Sequence, residues 1–175
     1  MKRAAIKGIA AALLTGVFAT GLLAAGPDRV KYPRGFEKDF KRYDIIDKPD
    51  RKIARFMYVD PKSAAEAKPG QPMPNGTVLV MEDHAVELDA AGNPVTDAAG
   101  RLKPTDKIVA VAVMEKRAGW GNDIPPDLRN GDWDYASYTP AGTVNEKAQL
   151  NNCFSCHLKV RDNDFMFTSI FKPSR

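Results

Sequence analysis

The stretch "NNCFSCHLKV", residues 151 to 160, holds the only two cysteines of the chain, Cys153 and Cys156, with His157 directly behind the second. A Cys-x-x-Cys-His run restricts the surrounding fold more than any other segment here, because each chemistry it can serve needs its own local backbone. Four readings compete: a disulfide, a redox dithiol, half of a zinc site and a thioether-linked haem. A disulfide would close only a tiny loop and constrain the unfolded chain little. A thioredoxin-like dithiol wants its cysteines where a strand enters a helix. Thr143 and Glu146 match a capping box, so the expected helix starts at Thr143, well upstream, and runs into the cysteines. Structural zinc needs a fourth ligand, and the only other histidine is His84. Haem attachment needs two sulfurs spaced like two vinyl groups and an imidazole reaching the iron from the same side, which residues i, i+3 and i+4 of one helix supply. The spacing therefore favours one covalently attached haem c, with Cys153 and Cys156 as attachment points and His157 as metal ligand.

The N-terminus decides which compartment this chemistry works in. Lys2, Arg3 and Lys7 form a positive region, followed by an uncharged stretch of small and apolar residues to Ala25. That is the pattern of a secretory signal peptide over residues 1–25, with cleavage expected after Ala25 where small residues cluster. The competing reading is an uncleaved anchor, disfavoured by the glycines and threonines in the stretch. Export implies a periplasmic protein. Residues 26–175 then form a single domain, large enough to bury an adequate core. Three charges of the net +4 belong to the leader, which leaves +1. Nothing in that balance argues for nucleic acid as a partner.

Short runs dominate the remaining chain. "KIARFMYV" (52–59), "TVLVMED" (77–83) and "KIVAVAVMEK" (107–116) are rich in β-branched and aromatic residues and bounded by turn formers, so they read as strands. "RGFEKDFKRY" (34–43) places Phe36, Phe40 and Tyr43 at helical spacing and reads as an amphipathic helix. Asp60 and Pro61 open a second short helix over 60–68 as N-cap and first residue. Asp-Ala-Ala-Gly occurs twice, at 89 and 97, and reads as two consecutive turns of an exposed hairpin rather than a calcium loop. Trp133, Tyr135 and Tyr138 supply aromatic packing for a last strand or extended segment. The expected class is α+β: a mainly antiparallel sheet with a few short helices, the C-terminal one carrying the haem motif. In the small helical electron carriers the motif stands near the N-terminus; here only 18 residues follow His157.

Several segments together resemble the cytochrome P-460 and cytochrome c-prime-beta family: "YPRGF" (32–36), "MYVDPKSA" (57–64), "PNGTVLVMED" (74–83), "AVMEK" (112–116), "GDWDYASY" (131–138), and "CFSCH" followed by "RDNDFMFT" (161–168). The resemblance implies a largely antiparallel domain, one c-type haem with His157 as proximal ligand, an open or loosely capped distal side and a homodimer. It also implies one of two activities. Family members that oxidise hydroxylamine carry an extra bond from a lysine to the haem edge, and pass electrons to another cytochrome; those without it bind nitric oxide or a related small nitrogen ligand. By the family pattern that lysine falls at Met81, which has no nucleophilic nitrogen, so the gas-binding reading leads. Lys68, Lys107 and Lys116 are the other candidates, each readable as a solvated charge.

Alternation suggests where such a haem would lie. Ile108, Ala110, Ala112 and Met114 share one face of their strand, and two alanines leave room for a flat macrocycle. An aromatic cap over the iron is expected from Phe56, Tyr58 or Phe36. Glu82, Asp83 and Glu115 are candidate catalytic bases for a substrate-oxidising site. A six-coordinate electron carrier would use His84, or one of Met57, Met81, Met114 and Met166, as sixth ligand. Asp162 or Asp164 is expected to accept a hydrogen bond from His157, Phe165, Phe167 and Phe171 to pack on the haem edge, and Lys159 and Arg161 to pair with propionates.

Overall fold

Runs of β-branched and aromatic residues pair into one five-stranded sheet in the computed structural model, which describes residues 26–172; the expected leader lies outside them. Strands β1 (Lys41–Lys48), β2 (Ile53–Val59), β3 (Val78–Val86), β4 (Pro104–Lys116) and β5 (Trp133–Tyr138) lie in chain order, every neighbour antiparallel. Three short α-helices accompany them: α1 (Phe36–Asp39), α2 (Pro61–Glu66) and α3 (Leu150–His157), the last bearing both cysteines. The α+β class read from the sequence is the class observed.

Strand alternation splits the core in two. Phe56, Tyr58, Val80, Val111, Val113 and Tyr138 face one side, where Val30 and Phe36 of the N-terminal segment cover them. Val59, Leu79, Trp133 and Tyr135 face the other, where α3 docks through Phe154, whose ring stands edge-on to Tyr135 at 4.9 Å. Burying a side chain such as Phe36 completely contributes about 1.5–3 kcal/mol. Both faces are therefore needed to hold the sheet.

The helix expected over 34–43 is only one turn long. It stops at Asp39, Phe40 is already extended at φ −95° and ψ 152°, and residues 41–48 form the edge strand β1. The helical spacing of the three aromatics is a coincidence of two structures: Phe36 and Phe40 pack on the first face, and Tyr43 on the second. A bulge between Arg42 and Asp44 turns Tyr43 that way. The last helix also differs from expectation, beginning at Leu150 rather than Thr143. Thr139 and Thr143 pair hydroxyl to hydroxyl at 2.7 Å, and Val144 bridges back to Tyr138. That fold-back on β5 takes up the hydroxyl the capping box needed.

Asp60 caps α2 as expected, accepting the Ser63 amide proton at 2.8 Å, and its second oxygen accepts from Val78 N at 2.9 Å, tying the helix to β3. Asp60→Ala should cost about 1–2 kcal/mol of unfolding free energy in a urea titration, at the upper end of a helix cap because two donors lose their acceptor. The twin Asp turns also form: Asp89 accepts from Ala91 and Asn93 amides, and Asp97 from Ala99 and Arg101 amides.

Candidate functional site

Helix α3 is short, and its last residue is His157. Phe154 anchors its inner side, and Asn130 donates to the Phe154 carbonyl at 3.1 Å and to the Tyr135 hydroxyl at 2.8 Å. The chain then tightens into a 3-10 turn and passes through two non-glycine residues with positive φ, Asp164 at 49° and Phe165 at 60°. Such backbone persists only where surrounding contacts over-determine it. Asp164 supplies them: its carboxylate accepts from Lys116 Nζ at 2.8 and 2.9 Å and from the Met73 amide at 2.8 Å. The turn aims the Phe165 carbonyl at His157 Nδ1, 2.6 Å away.

This arrangement fixes the imidazole. A carbonyl only accepts, so Nδ1 carries the proton and Nε2 keeps its lone pair. Burial pushes the His157 pKa below its ordinary value, partly opposed by the Phe165 bond, so the ring is neutral. It packs on Tyr135 at 4.8 Å, tilted, and against Phe167 at 5.1 Å in an edge arrangement. The acid expected to orient His157 is not its partner: a backbone carbonyl does that work, and Asp164 acts one step removed, by holding the turn.

Between His157 and the second sheet face lies a cavity of about 450 Å³, within the range of cofactor pockets. Met57, Leu79, Met81 and Met114 wall it on the sheet side; Cys156, His157, Met166 and Phe167 wall it on the other. Tyr43, Ile46, Lys48 and Arg55 also line it. Tyr43 donates to or accepts from Thr168 Oγ1 at 2.8 Å, and burial pushes its pKa up to about 12. Arg55 grips Asp83 with two bonds of 2.7 and 3.0 Å. Both cysteines are free thiols, Cys156 exposed and Cys153 half-buried, and burial raises the Cys153 pKa, with Cys156 adding to it. A pair of sulfurs one turn apart, a neutral imidazole held through Nδ1 and an apolar hollow beside it fit a haem.

The alanine face of β4 is the one turned to this hollow, since Ala112 pairs with Met81 and Met114 lines the wall. Ile108, expected on the same face, packs on the opposite one, because a register shift between Asp83 and His84 interrupts the alternation. Met81 itself faces the cavity. All four methionines named from the sequence line it, and three of them also serve the core: Met166 is buried, with Met57 and Met114 packed on the same cluster. Other expectations fail. Phe36, Phe56 and Tyr58 pack on the opposite face of the sheet and cannot cap a group bound beside His157. His84 lies there too, with Nε2 on Glu82 at 2.5 Å, Nδ1 on the Thr105 carbonyl at 2.9 Å and its ring stacked on Phe56. Both of its nitrogens are occupied.

The three candidate bases separate in the same way. Glu82 bonds His84 and the Tyr58 hydroxyl, and Glu115 bonds Arg117, both on the first face; only Asp83 reaches the cavity wall, through Arg55. Of the lysines, Lys116 is no solvated charge but a largely buried partner of Asp164, with side-chain exposures of 12% and 14%. Lys48 is the lysine that lines the cavity, a residue sequence reasoning passed over because β1 itself was unexpected. Phe167 is 55% exposed at the cavity, whereas Phe165 packs inward and Phe171 borders a different groove. Lys159 and Arg161 are exposed and do not line the cavity. Among the described residues no cluster of three or more His, Cys, Asp or Glu is placed to hold a metal ion, which leaves the zinc reading without a ligand set.

The family model described as Cytochrome P460 matches residues 33–168. No curated protein matches the chain.

Proposed function

The chain belongs to the cytochrome P460 family and is a c-type cytochrome with a haem cofactor, and we propose that one haem is attached through Cys153 and Cys156 and ligated by His157, with its other side open to nitric oxide or a related small nitrogen ligand. When bound, the haem supplies an iron that takes such a ligand. The observation that carries the reading is Met81: the position where hydroxylamine-oxidising relatives are expected to bear their cross-linking lysine faces the cavity here with a thioether. A thioether offers no nitrogen for that bond. His157 holds its proton on Nδ1 and presents Nε2, while Met57, Leu79 and Met114 exclude water from the wall. Arg55, its charge matched by Asp83, presents a donor edge without adding net charge. Lys48 and Arg55 are the cations that line the cavity and suit the propionates better than Lys159 and Arg161.

Two other readings have an observation each. Met57 and Met81 lie directly opposite one another across β2 and β3 in the cavity wall, which favours a six-coordinate electron-transfer cytochrome with a methionine sulfur as sixth ligand. Lys48 on the cavity favours a hydroxylamine-oxidising enzyme that passes electrons to another cytochrome, with its cross-link on a different strand from the family's. In each case the protein works after export to the periplasm, as a homodimer.

Visible spectra separate the three. For protein from a host that matures c-type haems, an ordinary high-spin spectrum that changes with nitric oxide is the expected result. A reduced protein indifferent to carbon monoxide would establish methionine ligation instead. A reduced Soret band far to the red, together with a haem peptide joined to a Lys48 peptide in mass mapping, would establish the enzyme.

A further inference from the structure

Asp134 is fully buried on β5, and one of its two oxygens has no partner. Oδ1 accepts from its neighbour's amide, Tyr135 N, at 2.7 Å and from Gly26 N at 3.1 Å; Oδ2 is buried and unbonded. An ionised carboxylate in such a place calls for a cation. The charged groups around it are already committed: Glu115, opposite it on β4, is bound to Arg117 at 2.6 Å, and Arg29 is bound to Asp123 at 2.5 Å. Burial raises the Asp134 pKa and Glu115 adds to this, against the lowering effect of the Gly26 and Tyr135 amides and of the Arg29 charge. The backbone nitrogen against Asp134 belongs to the residue that the leader reading makes the first of the mature chain.

We propose that the chain is cut between Ala25 and Gly26, and that the α-ammonium group released on Gly26 forms a buried ion pair with Asp134 that locks the N-terminus onto β5. The reading rests on export, not on the ligand chemistry of the haem side. Hydrolysis of that peptide bond consumes one water: its oxygen goes to Ala25, which keeps the new carboxylate, and its two protons go to the Gly26 nitrogen, which becomes the ammonium. One amide N–H becomes three ammonium N–H donors at the same position, enough to serve Oδ1 and the orphaned Oδ2 together. Gly26 sits close to Leu150 and Tyr135, since a Cβ there would displace the Leu150 side-chain end and lie 3.5 Å from the Tyr135 carbonyl. Leu150 opens α3, and Tyr135 packs on His157. The N-terminus so anchored braces both supports of the axial histidine, which couples removal of the leader to the rigidity of the haem side.

The test uses haem-loaded protein purified after export. Intact mass and N-terminal sequencing should give Gly26 as the first residue; any other start overturns the proposal, while leaving the nitric oxide reading to its own spectra. An ion pair raises the pKa of the folded α-ammonium above its unfolded value of about 8. Its stabilisation is therefore complete below that value and lost as pH rises through the folded pKa. Asp134→Asn should lower the melting temperature by on the order of 10 °C near neutral pH, and the gap to wild type should close as the pH approaches about 10. A gap that stays constant over that range overturns the pair. A second measurement needs no folded variant: in wild type, acetic anhydride should acetylate the Gly26 amine at least about tenfold more slowly in the native than in the unfolded protein, a tenfold drop for each unit of raised pKa. Equal rates would overturn the proposal.

Discussion

Asp164→Ala is expected to lower the unfolding free energy of the haem-loaded protein by about 3–5 kcal/mol, the cost of breaking a buried ion pair from one side. The pair is largely dry, with 12% and 14% of the two side chains exposed, so removing the acid leaves the Lys116 ammonium against the Trp133 ring with nothing to accept its protons. The Met73 amide loses its acceptor at the same time. A third loss lies in the backbone: alanine at φ 49° has no side-chain bonds to hold it in the left-handed region. Because the next residue supplies the carbonyl that orients His157, the damage should also be visible in the haem spectrum. A urea titration followed by both tryptophan fluorescence and Soret absorbance checks both parts. Lys116→Met separates them: it breaks the pair from the other side but leaves Asp164 its bond from the Met73 amide, so stability should fall while the haem spectrum changes less than in Asp164→Ala. A loss under about 1 kcal/mol for Asp164→Ala would mean that the turn holds itself.

What could be read ahead of the structure was whatever depends on neighbours in sequence. The cap at Asp60, the two Asp turns and the three central strands follow from local hydrogen bonding and alternation. So does the helix that joins Cys153, Cys156 and His157. The alanine face of β4 was legible from Ala110 to Met114 for the same reason, since a period of two fixes which residues share a side, and failed at Ile108, where a register shift breaks the period. Which side faces His157 was not, because that depends on how α3 docks through Phe154. This is why Phe56 and Tyr58 were assigned to the iron and lie behind the sheet. Glu82 and Asp83 show the same limit within one strand: adjacent in sequence, they serve opposite faces. Edge strand β1 was hidden by a coincidence of aromatic spacing, and with it went Tyr43, Ile46 and Lys48 as cavity residues. The partner of His157 was hidden differently. A backbone carbonyl carries no side-chain signature, and its placement depends on Lys116, 48 residues before Asp164.

His157→Ala is expected to abolish imidazole ligation while leaving the haem on the chain, because the proposed attachment through Cys153 and Cys156 would not depend on the ring. Removing the ring opens a slot between Tyr135 and Phe167, whose rings lie 4.8 and 5.1 Å from that of His157, and leaves the Phe165 carbonyl as an acceptor at its end. That slot has the shape and the hydrogen bond for free imidazole, so added imidazole should restore the wild-type spectrum, which a general loss of structure would not allow. Met57→Ala and Met81→Ala complete the argument from the opposite wall. With the iron's other side open, neither changes the reduced spectrum, and both only enlarge the space a small ligand enters. Were one sulfur bound to the iron, its alanine variant alone would turn high-spin and begin to take up carbon monoxide. The two walls of one cavity thus give opposite expectations: complete dependence on the imidazole side, which is positioned by a strained turn and a buried ion pair, and tolerance on the methionine side, where flexible thioethers fill space without a bond to hold them.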